Sequence, residues 1–465
     1  MKKFQVFTPM QYVDMMLDEA GYFGEDILKK NFLENSVGDG NILLQAVKRY
    51  VSEGINSGYD LSVLKSDLEN FFVAFEVDKD VIKKCINRLN KAMEEFGIFN
   101  VKWDIRNEDY LKSDLYKKFD FIIGNPPYIT YQELTIDNRN YLRQSFTSCS
   151  RGKFDYCYAF IEKSLNNLAT KNGKMAYLIP NSIFKNVFAA NLRKIMINNI
   201  IKIIDYKHTH IFGKVLTSSS IIILDNTEYR SIIDYVDIDN KRNLQIDKER
   251  LQDKWYFVEY NAYLNENRIL FGDLFKIANS VATLANKVFI VPDEVELEEE
   301  VIRPAASPRK LANQAAERII FPYTYEGDTL KKYLPNEFTD SFPLVTKYLK
   351  KHRDILKNRK ADGEWFEYGR SQGLRFFNQP KLMISSVITE SVKVYELDAD
   401  TIPYSGFYIV PKRNVGLEIA KEILESKDFY NYIESRAINA SGRSIRISVN
   451  DVRSYPVKIE RGNLW

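Results

Sequence analysis

The residues with the most specific chemistry are Asn125-Pro126-Pro127-Tyr128, which directly follow the apolar stretch 119–124 (FDFIIG). An exocyclic amine such as that of adenine is a poor nucleophile because its lone pair is delocalised into the ring. The Asn125 side-chain oxygen and the Pro126 carbonyl can each accept one amine hydrogen, which frees that lone pair. The prolines would keep both acceptors aimed, and Tyr128 could stack on a base turned out of a duplex. A tight turn that only closes a strand is the alternative interpretation.

The stretches around this turn alternate between apolar runs and amphipathic segments, and together they predict how the turn is positioned. Strands are predicted at 71–78, 119–125, 173–180, 200–207 and 218–225, and helices at 79–97 and 154–169. Apolar runs without alternation indicate strands covered on both faces, and intervening helices indicate parallel connections. The sequence therefore predicts a doubly wound α/β domain with a mostly parallel sheet at residues 1–227. Ligands of such sheets lie at the carboxyl ends of the strands.

From residue 228 the pattern changes to short strands and frequent turns, which predicts a second, mixed α/β domain at residues 228–465. The charged stretch 293–310 is typical of a surface loop or linker. Helices are predicted at 340–359 and 415–437, and strands at 381–388 and 405–412.

The amino-acid composition argues against membrane, disulfide-rich and zinc-binding proteins. None of the apolar runs approaches the roughly 18 residues of a membrane span, so no membrane contact is expected. Three cysteines and three histidines without a Cys-x-x-Cys motif favour a cytoplasmic protein and argue against both a disulfide framework and a zinc site. Overall charge is balanced, but residues 141–220 hold twelve basic and three acidic residues. That excess indicates either a phosphate-facing surface or a solvated helix face.

The turn and the order of the segments around it resemble the DNA adenine-N6 methyltransferases of the gamma arrangement, typified by the TaqI and Eco57I types. In that family the cofactor segments precede the Asn-Pro-Pro-Tyr loop and a DNA target-recognition domain follows. The resemblance implies a class I methyltransferase fold, S-adenosyl-L-methionine as cofactor, double-stranded DNA as substrate and no metal. The catalytic half matches in order and spacing, whereas the second half matches only in scattered segments.

The family's opening Thr-Pro segment is matched by 7–17 (FTPMQYVDMML), and the resemblance implies that Thr8 helps to hold the methionine carboxylate. A simple helix N-cap is the alternative for Thr8. The glycine-rich cofactor loop is matched by 34–43 (ENSVGDGNIL), where Glu34 keeps the family's acid. Gly38 and Gly40 would let the backbone approach the ligand. Departures from the family pattern stand at Asn35, Val37 and Asp39, and a Gly-x-Gly pair also occurs by chance in turns.

Two further acids match cofactor positions. Glu76 ends a predicted strand one helix after the glycine-rich loop, which suits it to accept hydrogen bonds from both ribose hydroxyls; a solvent-exposed strand-end acid is the alternative. The resemblance implies that Asp109 binds the cofactor's adenine amine and that Tyr110 packs on its ring. Asp104 competes for the first role, but Asp109 stands about ten residues before the 119–124 strand with an aromatic residue behind it.

The resemblance also suggests residues that contact DNA. Phe212 matches the aromatic residue that lies against the flipped base, although ordinary core packing is equally compatible. Asp155 could reach the active site or cap its helix. Basic residues expected to contact phosphates or bases are Arg370, Arg375, Arg443 and Arg446.

These observations favour a sequence-specific DNA adenine-N6 methyltransferase, either solitary or part of a restriction-modification system. Cytosine-N4 methylation remains open, although its enzymes more often carry Ser in place of Asn125. An RNA or protein amine methyltransferase remains open too, although those chains are generally shorter. A non-catalytic DNA-binding subunit is disfavoured by the intact turn together with Thr8 and Glu76. Because the Thr-Pro segment begins at residue 7, any partner endonuclease is expected to be encoded separately. A monomer is expected.

Overall fold

The computed structural model describes residues 8–207, 211, 218–227, 229–257, 268–327, 329–359, 361, 363–371, 373–412, 415–441 and 444–458. The chain divides into two compact units, Met1–Glu259 and Tyr260–Trp465. In the described ranges no helix is both long enough and apolar enough to span a membrane.

The first unit contains one large sheet with helices along the chain between its strands. Its strands are β1 Phe32–Glu34, β2 Phe72–Phe75, β3 Asp104–Arg106, β4 Phe121–Gly124, β5 Lys174–Pro180, β6 Ile200–Tyr206, β7 Ser219–Asp225, β8 Ile232–Asp237 and β9 Arg242–Asp247. Its α-helices are α1 Met10–Glu19, α2 Asn41–Asn56, α3 Leu61–Phe71, α4 Lys79–Glu94, α5 Ile136–Ser145, α6 Tyr156–Asn167 and α7 Ala190–Met196.

The sheet order is β3-β2-β1-β4-β5-β7-β6-β8-β9. Neighbours from β3 to β5 are parallel, and β7 lies antiparallel between β5 and β6. Consecutive residues of β4 enter opposite core clusters: Phe121 and Ile123 pack on one face and Ile122 on the other. Burial on both faces explains the unbroken apolar runs. The sheet order and the strand directions confirm the predicted class I methyltransferase fold.

The first unit is longer than the predicted domain 1–227. Strand β8 pairs with β6 and β9 pairs with β8, so the sheet continues past residue 227. Trp255 stacks on Phe184, with ring centroids 6.2 Å apart, which ties the following segment to the same core. The predicted boundary lies before these two strands because exposed polar residues interrupt their apolar pattern.

The second unit is mixed α/β, with several small sheets. Its strands are β10 Arg268–Leu270, β11 Phe275–Asn279, β12 Ile290–Val291, β13 Ile302–Ala306, β14 Glu317–Ile320, β15 Tyr323–Glu326, β16 Thr329–Lys332, β17 Lys381–Ile384, β18 Val387–Thr389, β19 Val394–Leu397, β20 Ile402–Pro403, β21 Phe407–Pro411, β22 Ile438–Ser441, β23 Ser444–Arg446 and β24 Pro456–Lys458. Its α-helices are α8 Phe271–Leu274, α9 Asn286–Phe289, α10 Pro308–Ala312, α11 Pro335–Ser341, α12 Pro343–Lys351, α13 Arg353–Lys357, α14 Leu417–Glu425, α15 Lys427–Arg436 and α16 Val449–Arg453.

Candidate active site

The Asn125–Tyr128 turn begins where β4 ends, and two neighbouring segments hold its first residue. The side-chain amide nitrogen of Asn125 donates to Thr8 Oγ1 at 3.1 Å, and the Ser36 hydroxyl donates to the backbone carbonyl of Asn125 at 3.0 Å. Because the nitrogen of the amide is used as a donor, its oxygen is the atom of this side chain that can accept. The turn is therefore joined both to the Thr-Pro segment and to the glycine-rich loop.

Thr8 is buried and does not cap helix α1, whose N-cap residue is Pro9 without a side-chain cap. Its backbone carbonyl accepts a hydrogen bond from the Asn41 amide at 2.9 Å, at the start of α2. The N-cap alternative for Thr8 is therefore wrong. Its hydroxyl instead lies against the side chain of the predicted catalytic asparagine.

The remaining residues of the turn differ in exposure. Pro126 is buried, which fixes the direction of the turn, while Pro127 and the Tyr128 ring are partly accessible. The Tyr128 hydroxyl itself is buried, and burial raises its pKa well above the ordinary value. The tyrosine is therefore neutral, and its polar end lies inside the protein.

The glycine-rich loop carries a buried acid. Glu34 ends β1, and its Oε2 atom has no hydrogen-bond partner in the described part of the protein. Burial raises the pKa of this carboxyl well above its usual range, against a backbone hydrogen bond from Leu43 that lowers it. A buried carboxyl with an unused oxygen is suited to bind a ligand that brings its own donor or positive charge.

Gly38 and Gly40 both have positive φ angles, 52° and 84°. A Cβ atom at Gly40 would lie 2.5 Å from Cys85 Sγ, so the glycine is required for the loop to pack on α4. The Gly38 N–H donates to Glu76 Oε2 at 3.1 Å. The two predicted cofactor segments therefore meet at this hydrogen bond.

Glu76 follows β2 and accepts two further hydrogen bonds, from the Val77 and Asp78 N–H groups to Oε1, at 2.9 and 3.0 Å. The carboxylate is thus held in one orientation by backbone donors. Oε2 accepts only the Gly38 N–H and keeps a second lone pair, so a ribose hydroxyl could bind there without breaking these bonds.

Asn35, one of the departures from the family pattern, belongs to a buried polar network. Its amide nitrogen donates to Ser164 Oγ at 2.8 Å and to the Tyr177 hydroxyl, which is itself 2.7 Å from Ser164 Oγ. The Asn35 oxygen would lie 3.2 Å from a Cβ atom at Gly124. The network therefore packs closely against Gly124, directly before Asn125, a contact that the sequence did not reveal.

Asp109 is partly buried and accepts hydrogen bonds from the Leu111 N–H at 3.0 Å and the Tyr156 hydroxyl at 3.3 Å. Its competitor Asp104 is occupied by an ion pair with Arg106, at 3.0 Å from Nε to Oδ1. The geometry thus favours Asp109 as the acid that could accept from an adenine amine.

Tyr110 does not present a ring face at the surface. Its side chain is 1% exposed, packs edge-on against Phe75, and donates to Asn167 Oδ1 at 2.9 Å. The structure therefore places Tyr110 in the core and not in an open position against a cofactor ring. The half-buried Tyr156, whose hydroxyl donates to Asp109, is a neighbour of this acid that the sequence did not reveal, because its segment has the pattern of an ordinary helix.

The DNA-contact candidates fall in different places. Phe212 and Arg443 lie outside the described residues. Arg370 is exposed in a loop whose backbone pairs with Ala282, and Arg446 is exposed on β23. Both arginines belong to the second unit, whereas the active-site turn belongs to the first.

Arg375 belongs to a basic cluster of the second unit that the sequence did not reveal as a whole. Lys276 Nζ lies 3.3 Å from the centroid of the Phe376 ring, and the Arg375 guanidinium lies 4.6 Å from it. Burial, followed by the charges of Arg375, Lys412 and Arg453, lowers the pKa of Lys276. Within the described residues none of these four cations forms an ion pair with a carboxylate. We call Lys276, Arg375, Lys412 and Arg453 the basic cluster.

Comparison with known proteins agrees with this geometry. The model of the family described as Eco57I restriction-modification methylase matches residues 40–212, which include Glu76, Asp109 and the Asn125–Tyr128 turn. This part of the chain is thus similar to the Eco57I-type methylases. The type II methyltransferase M.BstVI of Geobacillus stearothermophilus is 26% identical to this chain, over 96% of this chain and 88% of that protein. The restriction enzyme and methyltransferase RM.Eco57I of Escherichia coli is 20% identical, over 80% of this chain and 47% of that protein.

Solved structures share the fold of this chain. The type IIL restriction-modification enzyme MmeI in complex with DNA matches with a TM-score of 0.63 and 15% identity, over 96% of this chain and 65% of that one. A nuclease-deletion mutant of the type ISP enzyme LlaGI, in complex with a DNA substrate mimic, matches with a TM-score of 0.58 and 14% identity, over 95% and 45%. This chain thus spans less than two thirds of either solved chain.

Proposed function

We propose that this methylase transfers a methyl group from S-adenosyl-L-methionine to the N6 amine of an adenine extruded from duplex DNA, at a specific sequence. The observation that carries the proposal is the position of Asn125, bonded through its side chain to Thr8 and through its carbonyl to Ser36. The turn that carries the proposed amine acceptors is thereby hydrogen-bonded to the glycine-rich loop, which is the proposed cofactor site.

The residues present fit the proposed cofactor. Glu34 offers a buried carboxyl oxygen without a partner in the described chain, Glu76 offers a fixed carboxylate, and Asp109 offers an acceptor beside a half-buried ring. When bound, S-adenosyl-L-methionine supplies a methyl group activated by a sulfonium sulfur. Among the described residues no group of His, Cys, Asp or Glu is arranged to hold a metal ion.

The protein's own contribution is positioning. The Asn125 side-chain oxygen and the Pro126 carbonyl accept the two hydrogens of the amine, and so restore its lone pair for attack. The two prolines fix both acceptors before the substrate arrives, so no reorganisation is required during the reaction. The anchored Tyr128 ring would stack on the extruded base, which offsets part of the cost of unstacking it.

The second unit would supply DNA recognition. Its basic cluster fits phosphates, and similar folds in MmeI and LlaGI have been solved with DNA or a DNA mimic. We propose that the protein acts as a monomer.

The test is to incubate the purified protein with S-adenosylmethionine and mixed-sequence duplex DNA, and to analyse the digested nucleosides by mass spectrometry. N6-methyldeoxyadenosine is the expected product, and sequencing for modified positions would give the recognised site. N4-methyldeoxycytidine would instead assign the turn to cytosine. Cofactor binding without a DNA product would favour RNA or protein substrates, and absence of cofactor binding would favour a non-catalytic DNA-binding subunit.

A further inference from the structure

Two large apolar side chains are exposed on the turn that follows β5. Val187 is 59% exposed and Phe188 is 40% exposed. Strand β5 is the parallel neighbour of β4, so this turn and the Asn125–Tyr128 turn leave the same edge of the sheet. Exposed apolar groups on a soluble protein commonly mark a contact surface.

Hydrogen bonds to two side chains hold the turn that carries Val187 and Phe188 in place. Arg193 is 2% exposed, and its guanidinium donates to the carbonyls of Ile183 and Asn186, the latter at 2.9 Å. The Asn186 side chain in turn accepts from the Phe188 N–H at 3.0 Å. These hydrogen bonds hold the turn that carries the two apolar side chains, so the position of those side chains is set before any partner binds.

Phe188 also packs on the loop before α6. Gly152 has a φ of +71°, and a Cβ atom there would lie 2.0 Å from Phe188 Cδ1, so the ring covers the glycine. The Gly152 carbonyl accepts from Arg143 Nη2 at 3.1 Å, and the Arg143 guanidinium lies 6.0 Å from the centroid of the Tyr131 ring. Tyr131 is three residues beyond Tyr128, so these contacts link Phe188 to the segment that follows the catalytic turn.

Cations surround this apolar projection. Arg143, Arg151 and Lys153 are exposed, and none of them forms an ion pair within the described residues. A phosphate backbone fits the cations, while stacked bases fit the apolar side chains, so duplex DNA matches both chemistries of this surface.

We propose that Val187 and Phe188 form a wedge that enters the duplex beside the target base and fills the space left when that base is extruded. This proposal rests on the proposed function. The wedge replaces part of the stacking that is lost on extrusion, so it lowers the cost of turning the base into the active site.

The test compares two duplexes that contain the recognised site, one fully paired and one with an abasic site opposite the target adenine. Extrusion costs less from the second duplex because the target base has no pairing partner. We expect Phe188→Ala to lower kcat/KM by about tenfold on the paired duplex, which corresponds to ~1.4 kcal/mol, and by less than about twofold on the abasic duplex. Phe188→Leu, which keeps a large apolar group, should restore most of the rate on paired DNA.

Phe99→Ala is the matched control, because Phe99 is an exposed phenylalanine of the same unit, 57% accessible, that the wedge does not include. It should behave as wild type on both duplexes. Equal losses for Phe188→Ala on both duplexes, or no loss on either, would overturn the wedge while leaving the proposed function intact. Failure of the wild-type protein to methylate either duplex would instead overturn the proposed function, and the wedge with it.

Discussion

Asn125 uses its side chain and its carbonyl to contact two different segments, so its function depends on atoms that lie far from it in sequence. The residue type was evident from the sequence, since an asparagine before two prolines suits an amine acceptor. The bonds to Thr8 and Ser36 could not be predicted, because they depend on the path of two loops across the end of the sheet.

Replacing Asn125 by Ala removes one of the two proposed acceptors. We expect kcat to fall by about 10²–10³, as on loss of one preorganised hydrogen-bonding group in other active sites. The affinity for S-adenosylmethionine should change by less than about threefold, measured by calorimetry. A variant with wild-type turnover would refute the mechanism.

Thr8→Val removes the hydroxyl that accepts from Asn125 and keeps the side-chain shape. Loss of one such hydrogen bond is worth about 1 kcal/mol, so we expect kcat to fall by about fivefold, while Thr8→Ser retains activity. Steady-state kinetics would separate two roles. An increase only in the KM for S-adenosylmethionine would show that Thr8 contacts the cofactor, as its family match implies, and does not act through Asn125.

Asp155 provides a pH-dependent test of the loop before α6, whose N-terminus its side chain does not cap. Burial, with a smaller contribution from Glu133, raises the pKa of Asp155 from 3.8 to about 6. The folded state therefore holds this proton more tightly than the unfolded state, and the free energy of unfolding falls as pH rises from about 4 to about 6. We expect Asp155→Asn to stabilise the protein by ~1–3 kcal/mol at pH 7.5 and much less at pH 4, measured by urea denaturation. An equal effect at both pH values would contradict this cause.

At the scale of elements, the strands buried on both faces were the easiest to predict from the sequence. Strands β4, β5 and β7 are covered on both faces, so their apolar runs were recognisable. Strand β9 lies at the sheet edge with mostly exposed residues, and it carries little apolar pattern.

In the second unit the pattern is weaker still. The stretch 293–310, expected to be a loop or linker, contains β13, which includes a proline and pairs with β14 and β20. Its charged flanks obscured it. Strands of two residues, such as β12 and β20, are too short for any periodicity to appear.

The basic cluster combines residues from four separate segments, and its role is testable as an assembled surface. We expect the double variant Arg375→Gln/Lys412→Gln to weaken DNA binding at all sequences alike. The slope of log Kd against log salt concentration should fall by about 1–2, because each lost phosphate contact removes about 0.9. The measurement is a fluorescence anisotropy titration over a series of salt concentrations.

The matched control is Lys347→Gln/Lys393→Gln, which removes two exposed lysines of the same unit outside the cluster. It should leave the slope unchanged. An equal decrease of the slope in both double variants would indicate a general charge effect and not a binding surface.

At the scale of the whole molecule, the first unit depends on residues beyond the boundary suggested by its sequence. Tyr235 on β8 donates to Asp205 Oδ2 on β6 at 2.8 Å, and the Phe257 ring stacks on Tyr235 at 4.4 Å between centroids. A fragment that ends at 227 would leave the edge of β6 unpaired and this core open.

We therefore expect fragment 1–259 to be soluble and to unfold cooperatively, and fragment 1–227 to aggregate or to melt at a lower temperature. Circular dichroism melts and size-exclusion chromatography of the two fragments would provide the comparison. Equal melting temperatures and elution as a monomer for both would show that β8 and β9 are dispensable.

The extension of the sheet through β9 also determines how specificities could be exchanged between enzymes of this kind. A hybrid that joins the proposed catalytic unit to a foreign recognition unit at residue 227 would inherit a severed sheet, and its inactivity would be mistaken for incompatibility with the donor. A junction placed after Phe257 leaves the catalytic sheet whole. Hybrids built there would report on the donor's sequence preference alone.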